Sequence, residues 1–338
     1  MEMADMANVL VTGGLGLIGR EVVKILYLRG DRVLILDNRS RGRGVPLDLP
    51  RVEVLEADLG RRAPTGSWMT FSDGAEVNRV IHLAAQVCGV KKASEVEADL
   101  MTANMLIDSN VLEAAASCGV EKLVYMSTAC VYPVGRQLEP DSPALREEWA
   151  WPAGPENGYG MAKLCGERLV EAYQRIGCPF VVVRGFNIYG PGEDYGEGSH
   201  VIPELFRKFL TARVNGGPVE VYGDGLQTRA FTYHSYAAEA IVLAMDLLWP
   251  GKSPVNISGE EAVSIRTLVE LVAGLTGAHW VPVHYDHGPQ GVRGRRGDIT
   301  RAREILGWRP RTPLETGLSR VMAWMSRDIS IPEIAEAV

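Results

Sequence analysis

Short apolar runs, separated by stretches with helical spacing, set the plan of the first 190 residues. The runs at 8–12, 32–37, 52–55, 80–83, 122–126 and 180–184 are mostly apolar, with little alternation of polar positions. Such runs predict strands covered on both faces, as in a parallel sheet. Between them, residues 17–29, 95–118 and 159–176 place apolar side chains at helical intervals. Strands alternating with helices predict βαβ units, and therefore an α/β fold with a Rossmann-type doubly wound parallel sheet.

The texture changes near residue 190. Residues 190–198 are a loop by composition, with four glycines and a proline. Helices are predicted at 201–211, 236–248, 264–276 and 313–325, and short strands at 219–222, 255–257 and 281–284. The expected division is a first domain at 7–190, a smaller C-terminal α/β lobe at 191–327 with strands crossing back, and a tail at 328–338. The segment 180–188 is assigned to the main sheet.

Composition narrows the function. Of 338 residues, 46% are hydrophobic and 23% charged, enough apolar material to exclude disorder as the main state. The net charge of -7 argues against a nucleic-acid or anionic-membrane binder. No apolar run reaches about 18 residues, the length that would span a membrane. Met1–Ala7 carries two acids and no Lys or Arg, unlike a secretory signal. The five scattered cysteines predict neither a disulfide framework nor a metal site, and a cytoplasmic setting is expected.

Val9-Leu-Val-Thr-Gly-Gly-Leu-Gly-Leu-Ile-Gly19 joins the first strand to the first helix. Gly13 suits the tight turn, Gly16 lets backbone approach a pyrophosphate, and Gly19 lets the helix pack on the strand. With 37 glycines in the chain, the pattern needs its context, and Asp37 at the end of the next strand supplies it. That carboxylate would accept from a ribose diol and repel a 2′-phosphate, favouring NAD over NADP, although Arg39, Arg41 and Arg43 lie close in sequence. Asp58, after the third strand, either reaches the adenine or caps a turn. Leu83, Ala84 and Ala85 end the fourth strand with residues small enough for close cofactor approach.

Tyr159 and Lys163 stand four apart on one helical face. A neighbouring ammonium favours phenolate, so Tyr159 is a candidate base; read alone, the pair also fits an ordinary amphipathic helix. Ser127-Thr-Ala-Cys-Val-Tyr132 brings hydroxyls to the carboxyl edge of the sheet, where α/β proteins bind ligands.

Taken with His82-Leu-Ala-Ala85, Asn187-Ile-Tyr-Gly-Pro191 and Gly223-Asp-Gly-Leu-Gln-Thr-Arg229, these motifs resemble an extended short-chain dehydrogenase/reductase of the NAD-dependent nucleotide-sugar epimerase/dehydratase branch, over about residues 7–327. Ser127–Pro133, Ala150-Trp-Pro-Ala153, Gly223–Arg229 and Gly288–Arg295 most resemble the GDP-mannose 3,5-epimerase family. The resemblance implies bound NAD, a nucleotide-diphosphate-sugar substrate, no metal, and a homodimer formed by the helices near 95–118 and 159–176.

It also implies roles. Tyr159, with Lys163 and Thr128, would drive oxidation at sugar C4, and Cys130 would exchange a proton beside the transient ketone. Cys130 alone could equally be a small buried hydrophobe. Leu17, Ile18, Asn38, Leu59, Asn104, Tyr159 and Lys163 join the cofactor set. Cys88, Gly89, Thr128, Ala129, Cys130, Asn187, Val201, Lys208, Gln227 and Thr228 form the substrate set, with Arg229 and Arg295 on the diphosphate. One departure stands out. The family's second acid/base, a lysine, falls on Val201, so His200, Lys91 or Lys92 would have to serve. The alternatives are a UDP-sugar 4-epimerase, a sugar dehydratase, and an NAD-sensing regulator without activity.

Overall fold

Alternation along the strands decides how the sheet is covered. In the computed structural model, Val9, Val11, Val33, Ile35, Val181 and Val183 face one core cluster, with Val22, Leu26 and Ile241 opposite them. The intervening Leu10, Leu34, Leu36, Leu123, Phe180 and Val182 face a second cluster, containing Val111, Leu112 and Val170. Both faces are apolar because helices lie on both. The structure describes residues 6–41, 49–61, 67–286, 288 and 291–328. Arg43, the side chain of Lys91, positions 289–290 and positions 329–338 lie outside the described residues.

The first part runs β1 (Asn8–Thr12), α1 (Leu17–Arg29), β2 (Arg32–Asp37), β3 (Val52–Glu56), β4 (Arg79–His82), α2 (Val90–Glu95), α3 (Glu97–Ser117), β5 (Lys122–Thr128), α4 (Gly158–Arg175) and β6 (Phe180–Gly185). There follow β7 (Ile188–Tyr189), α5 (Val201–Asn215), β8 (Val219–Tyr222), β9 (Thr228–Ala230), β10 (Thr232–Tyr233), α6 (His234–Leu247) and β11 (Val255–Ile257). The chain ends with β12 (Ala262–Ser264), α7 (Ile265–Thr276), β13 (Val283–Asp286), β14 (Gly294–Arg295), α8 (Thr300–Leu306) and α9 (Leu314–Asp328).

The main sheet has seven strands in the order β11-β6-β5-β4-β1-β2-β3, all parallel. This is the predicted doubly wound α/β sheet. From β1 the chain winds outward to β2 and β3, then returns to the other side of β1 for β4, β5 and β6. That reversal opens a crevice at the carboxyl ends of β1 and β4.

Three expectations change. The run at 52–55 is not covered on both faces: β3 is an edge strand, with Val54 37% and Leu55 39% exposed. The helix expected at 95–118 is present as α3, but a short α2 that the pattern missed precedes it, with the break at Val96 (φ -121°, ψ 31°). The segment 180–188 leaves the main sheet after Gly185, and Ile188–Tyr189 pairs with β10 instead. Beyond the sheet, α5, α7 and α9 enclose a separate apolar cluster around Phe206, Phe209, Leu268 and Leu318.

Candidate active site

A cleft of about 1240 Å³ opens at the crevice and continues toward the C-terminal elements. Gly13, Gly16, Leu17, Ile18, Gly19, Asp37, Asn38, Asp58, Leu59, Leu83, Ala84 and Ala85 line one half. Gly13 turns the chain at φ +68°, and a Cβ on Gly19 would stand 2.2 Å from the Gly13 carbonyl oxygen, so α1 can pack here only without a side chain. The N-terminus of α1 carries no side-chain cap and no acid in its first turn. Its backbone N–H groups therefore suit an anion such as a pyrophosphate. Asp37 does more than face a ligand. Its Oδ2 accepts from the Leu15 N–H at 3.0 Å and its Oδ1 from the Arg39 N–H at 2.8 Å, tying β2 to the glycine turn. Arg39 itself pairs with Glu56 at 3.1 Å. Asp58 lines the cleft and caps the turn after β3, accepting from the Gly60 N–H at 3.0 Å. The donor set fits NAD.

Past β5 the chain makes a short turn, Ala129–Val131, that the Thr128 hydroxyl caps by accepting from the Cys130 N–H at 3.2 Å. Asn157 caps α4 in the same way, accepting from the Gly160 N–H at 3.0 Å. The two elements meet closely: a Cβ on Gly160 would come within 2.3 Å of the Cys130 carbonyl oxygen. Thr128, Ala129, Cys130 and Tyr159 thereby share one wall of the cleft. The Thr128 hydroxyl and the Tyr159 phenol face the same cleft. Burial raises the phenol well above the ordinary tyrosine range, the neighbouring Cys130 and Asp108 raise it further, and Thr128 opposes them.

Parallel pairing of β9 with β14 puts Arg229 beside Arg295. Arg295 is buried and donates from Nη1 to Cys130 Sγ at 3.4 Å, from Nη2 to Glu156 at 2.7 Å and from Nε to Gln137 at 2.9 Å. Burial and then the Arg295 charge lower Arg229, against the opposing pull of Glu156 and Cys130, to about 10. Arg295 also lines the cleft beside Arg229.

Cys88, Gly89, Asn187, His200, Val201, Lys208 and Gln227 also line the cleft, as does Lys92. His200 is 48% exposed, and its Nδ1 lies 2.6 Å from the buried Glu193 carboxylate. The Glu193 carboxylate raises the imidazole above its ordinary value. Lys208 is held by the Glu220 carbonyl and the Glu204 carboxylate, each at 2.8 Å.

Three assigned residues stand behind the wall. Lys163 is buried and turned to Asp108 of α3, with Nζ 3.2 Å from Oδ1, because α3 packs against α4 there. Asn104 is buried, donates to the Gln86 and Leu100 carbonyls and accepts from the Gln86 N–H, bracing the loop after β4. Thr228 donates to the Pro140 carbonyl at 2.5 Å, a structural contact. Sequence reasoning missed Arg207, Glu156, Glu193 and Asp108. Arg207 lines the cleft, and its Nε is buried without a hydrogen-bond partner. A signal for it was available in the neighbouring Lys208, whereas the other three are acids with no motif around them.

Residues 9–258 match the NAD dependent epimerase/dehydratase family. The chain belongs to that family: it is an enzyme of the epimerase/dehydratase class, and NAD is its cofactor. It is 32% identical to GDP-mannose 3,5-epimerase 1 of Oryza sativa subsp. japonica over 327 residues, covering 96% of this chain and 83% of that protein. Among solved structures, UDP-glucose 4-epimerase of Thermotoga maritima, with UDP-glucose, superposes with a TM-score of 0.82 at 29% identity, over 96% of this chain and 100% of the other. The Thermus thermophilus UDP-glucose 4-epimerase complex with NAD superposes at 0.79 with 27% identity, over 95% and 99%.

Proposed function

We propose that the protein epimerises a nucleotide-diphosphate sugar by transient oxidation at C4 and enolisation at C3 or C5, as a GDP-mannose 3,5-epimerase-like enzyme. The observation that carries this reading is the placement of Cys130 on the same wall as Tyr159, with its sulfur held by Arg295 at 3.4 Å. A 4-epimerisation that proceeds by rotation of a ketone needs no thiol there.

NAD, at the glycine turn and Asp37, would supply the hydride acceptor and donor for C4. Tyr159 takes the proton of the sugar 4-hydroxyl, with the Thr128 hydroxyl beside it on the same wall. Once C4 is a ketone, a carbanion at C3 or C5 is delocalised as an enolate, so those hydrogens become acidic. Cys130 exchanges one of them. His200, held by Glu193, is our reading of the donor on the opposite face, because Val201 cannot move protons. Tyr159 returns its proton when C4 is reduced again, and there is no net redox change.

The substrate half suits a polar ligand. Among the described residues, Ser199 Oγ, Arg207 Nε and Gln227 Oε1 are buried polar atoms without hydrogen-bond partners that border the cleft. Such groups are costly unless something pairs with them. We assign Arg207 and Arg229 to the diphosphate and Gln227, Cys88, Gly89, Asn187 and Ala129 to the remainder of the nucleotide sugar. The division into a cofactor domain at 7–190 and a substrate lobe at 191–327, a homodimer through α3 and α4, and cytoplasmic residence belong to this proposal. Among the described residues, no helix is long and apolar enough to cross a membrane.

The test is turnover of GDP-, UDP- and dTDP-sugars in heavy water, read by mass spectrometry. Deuterium at C3 or C5 supports the proposal. Turnover without deuterium overturns it in favour of 4-epimerisation, the reading that Val201 favours. Binding of NAD without turnover of any of them points to a regulator.

A further inference from the structure

Beneath the cleft lies a buried polar cluster that the reaction above does not use. Asp108 on α3 sits at its centre. Its carboxylate accepts from Lys163 Nζ at 3.2 and 3.4 Å and from the Tyr125 hydroxyl at 2.5 Å, and it lies 3.1 Å from His82 Nε2. The Thr12 hydroxyl accepts from the Leu83 and Ala84 N–H groups, both at 3.2 Å, which leaves its own hydrogen for His82 Nδ1 at 2.7 Å. That fixes the histidine tautomer: Nε2 carries the hydrogen and donates to Asp108. Lys163 also stands 4.0 Å from the centre of the Tyr125 ring. Every member is buried, and the cluster ends at Leu83 and Ala84 on the cleft wall.

We propose that Asp108 is a positioning residue of this enzyme: it keeps the Lys163 ammonium beneath the cleft and so sets the pH at which Tyr159 becomes a base. Two charges in contact act on a third group mostly as a dipole, so the carboxylate cancels much of the field that an unpaired ammonium would exert on the phenol. Burial would raise Asp108, but Lys163, His82 and Tyr125 outweigh it, and the carboxylate remains charged. Burial lowers His82, which is neutral and adds no charge. Glu167 of α4 also acts on Lys163, but it is committed to Arg184 of β6 at 2.6 Å and to Ser127 of β5 at 2.5 Å. On the cleft side Tyr159 meets Thr128 and Cys130. Removing the Asp108 charge leaves Lys163 as the unbalanced neighbour, and the phenol must then ionise at lower pH.

The inference rests on Tyr159 as the group that gives and takes the 4-hydroxyl proton. The test is an ultraviolet phenolate titration of the full-length, NAD-loaded protein without substrate, with the same titration of Tyr159→Phe subtracted to isolate Tyr159. Asp108→Asn is expected to move the Tyr159 midpoint down by about one pH unit, a Coulombic effect of modest range. The pH profile of C4 oxidation should move with it. Asp108→Ser, which keeps an oxygen for the Tyr125 and Lys163 hydrogen bonds, should give the same shift. Asp108→Asn combined with Lys163→Gln removes both charges together and guards against a single variant that fails to fold. It should bring the midpoint back toward the parent value, whereas Lys163→Gln alone, which leaves the Asp108 carboxylate unbalanced, should raise it. An unchanged or raised midpoint in a folded Asp108 variant, or a double variant whose midpoint stays as low as that of Asp108→Asn, overturns the inference. If instead Tyr159→Phe keeps full C4 oxidation, the assignment of Tyr159 itself is wrong.

Discussion

The Arg295 guanidinium reaches Cys130 Sγ at 3.4 Å with one nitrogen while another holds Glu156 at 2.7 Å. A thiol two residues past the end of β5 would otherwise be an unremarked small side chain. Here it is fixed on a cleft wall by a cation that is itself fixed by an acid.

Cys130→Ala should leave C4 oxidation in place, since that step depends on Tyr159 and NAD. Deuterium uptake at C3 or C5 should fall by about a hundredfold or more, the scale of losing one acid/base group, while a transient NADH signal persists. Cys130→Ser should recover little, because a hydroxyl is a far weaker base than a thiol near neutral pH. Uptake at the parent rate in Cys130→Ala would return the cysteine to the role of a buried structural residue.

Glu156 ties acid stability to the same site. Burial would raise its carboxyl, but Arg295 and Arg229 outweigh that and hold it below the usual carboxylate range. A depressed folded value gives stability that is present above the unfolded value and is lost as pH falls through the folded one. Glu156→Gln should therefore cost about 1–3 kcal/mol at pH 7 and progressively less below about pH 4.3, the unperturbed glutamate value. Denaturant unfolding of both proteins across that range checks it, and a difference that grows toward acid would contradict the sign.

Asp37→Ala should weaken NAD by at least about tenfold, the worth of one lost hydrogen bond of roughly 1.4 kcal/mol, measured by titration calorimetry. Because Asp37 also holds the Leu15 and Arg39 N–H groups, it should lower unfolding stability by about 1–2 kcal/mol as well. Unchanged NAD affinity with reduced stability would make Asp37 a turn former only.

A homodimer through α3 and α4 should respond to charge on the outer face of α3, where Met105 is 41% and Leu106 is 48% exposed. Met105→Asp with Leu106→Asp should shift sedimentation at micromolar concentration from dimer to monomer, because a desolvated charge costs several kcal/mol. A parent protein that sediments as a monomer would remove this interface.

The sequence by itself determined the sheet, because a run of apolar residues with no wet face has only one economical home, between two layers of helices. It determined the glycine turn, where Gly13 and Gly19 answer to backbone geometry that no other residue satisfies, and it placed Tyr159, Thr128 and Cys130 at the carboxyl edge. Local pattern could not show that 52–55 ends at an edge, since which strand lies outermost depends on chain segments far away. Nor could four-residue spacing show where Lys163 points: the helix gives a face, but the partner, Asp108, comes from another helix packed on it. The same holds for Arg295, 165 residues from Cys130. Charged side chains are long and choose among partners that only packing brings within reach, so the apolar plan was legible in the chain and the electrostatics of the site were decided by the tertiary structure.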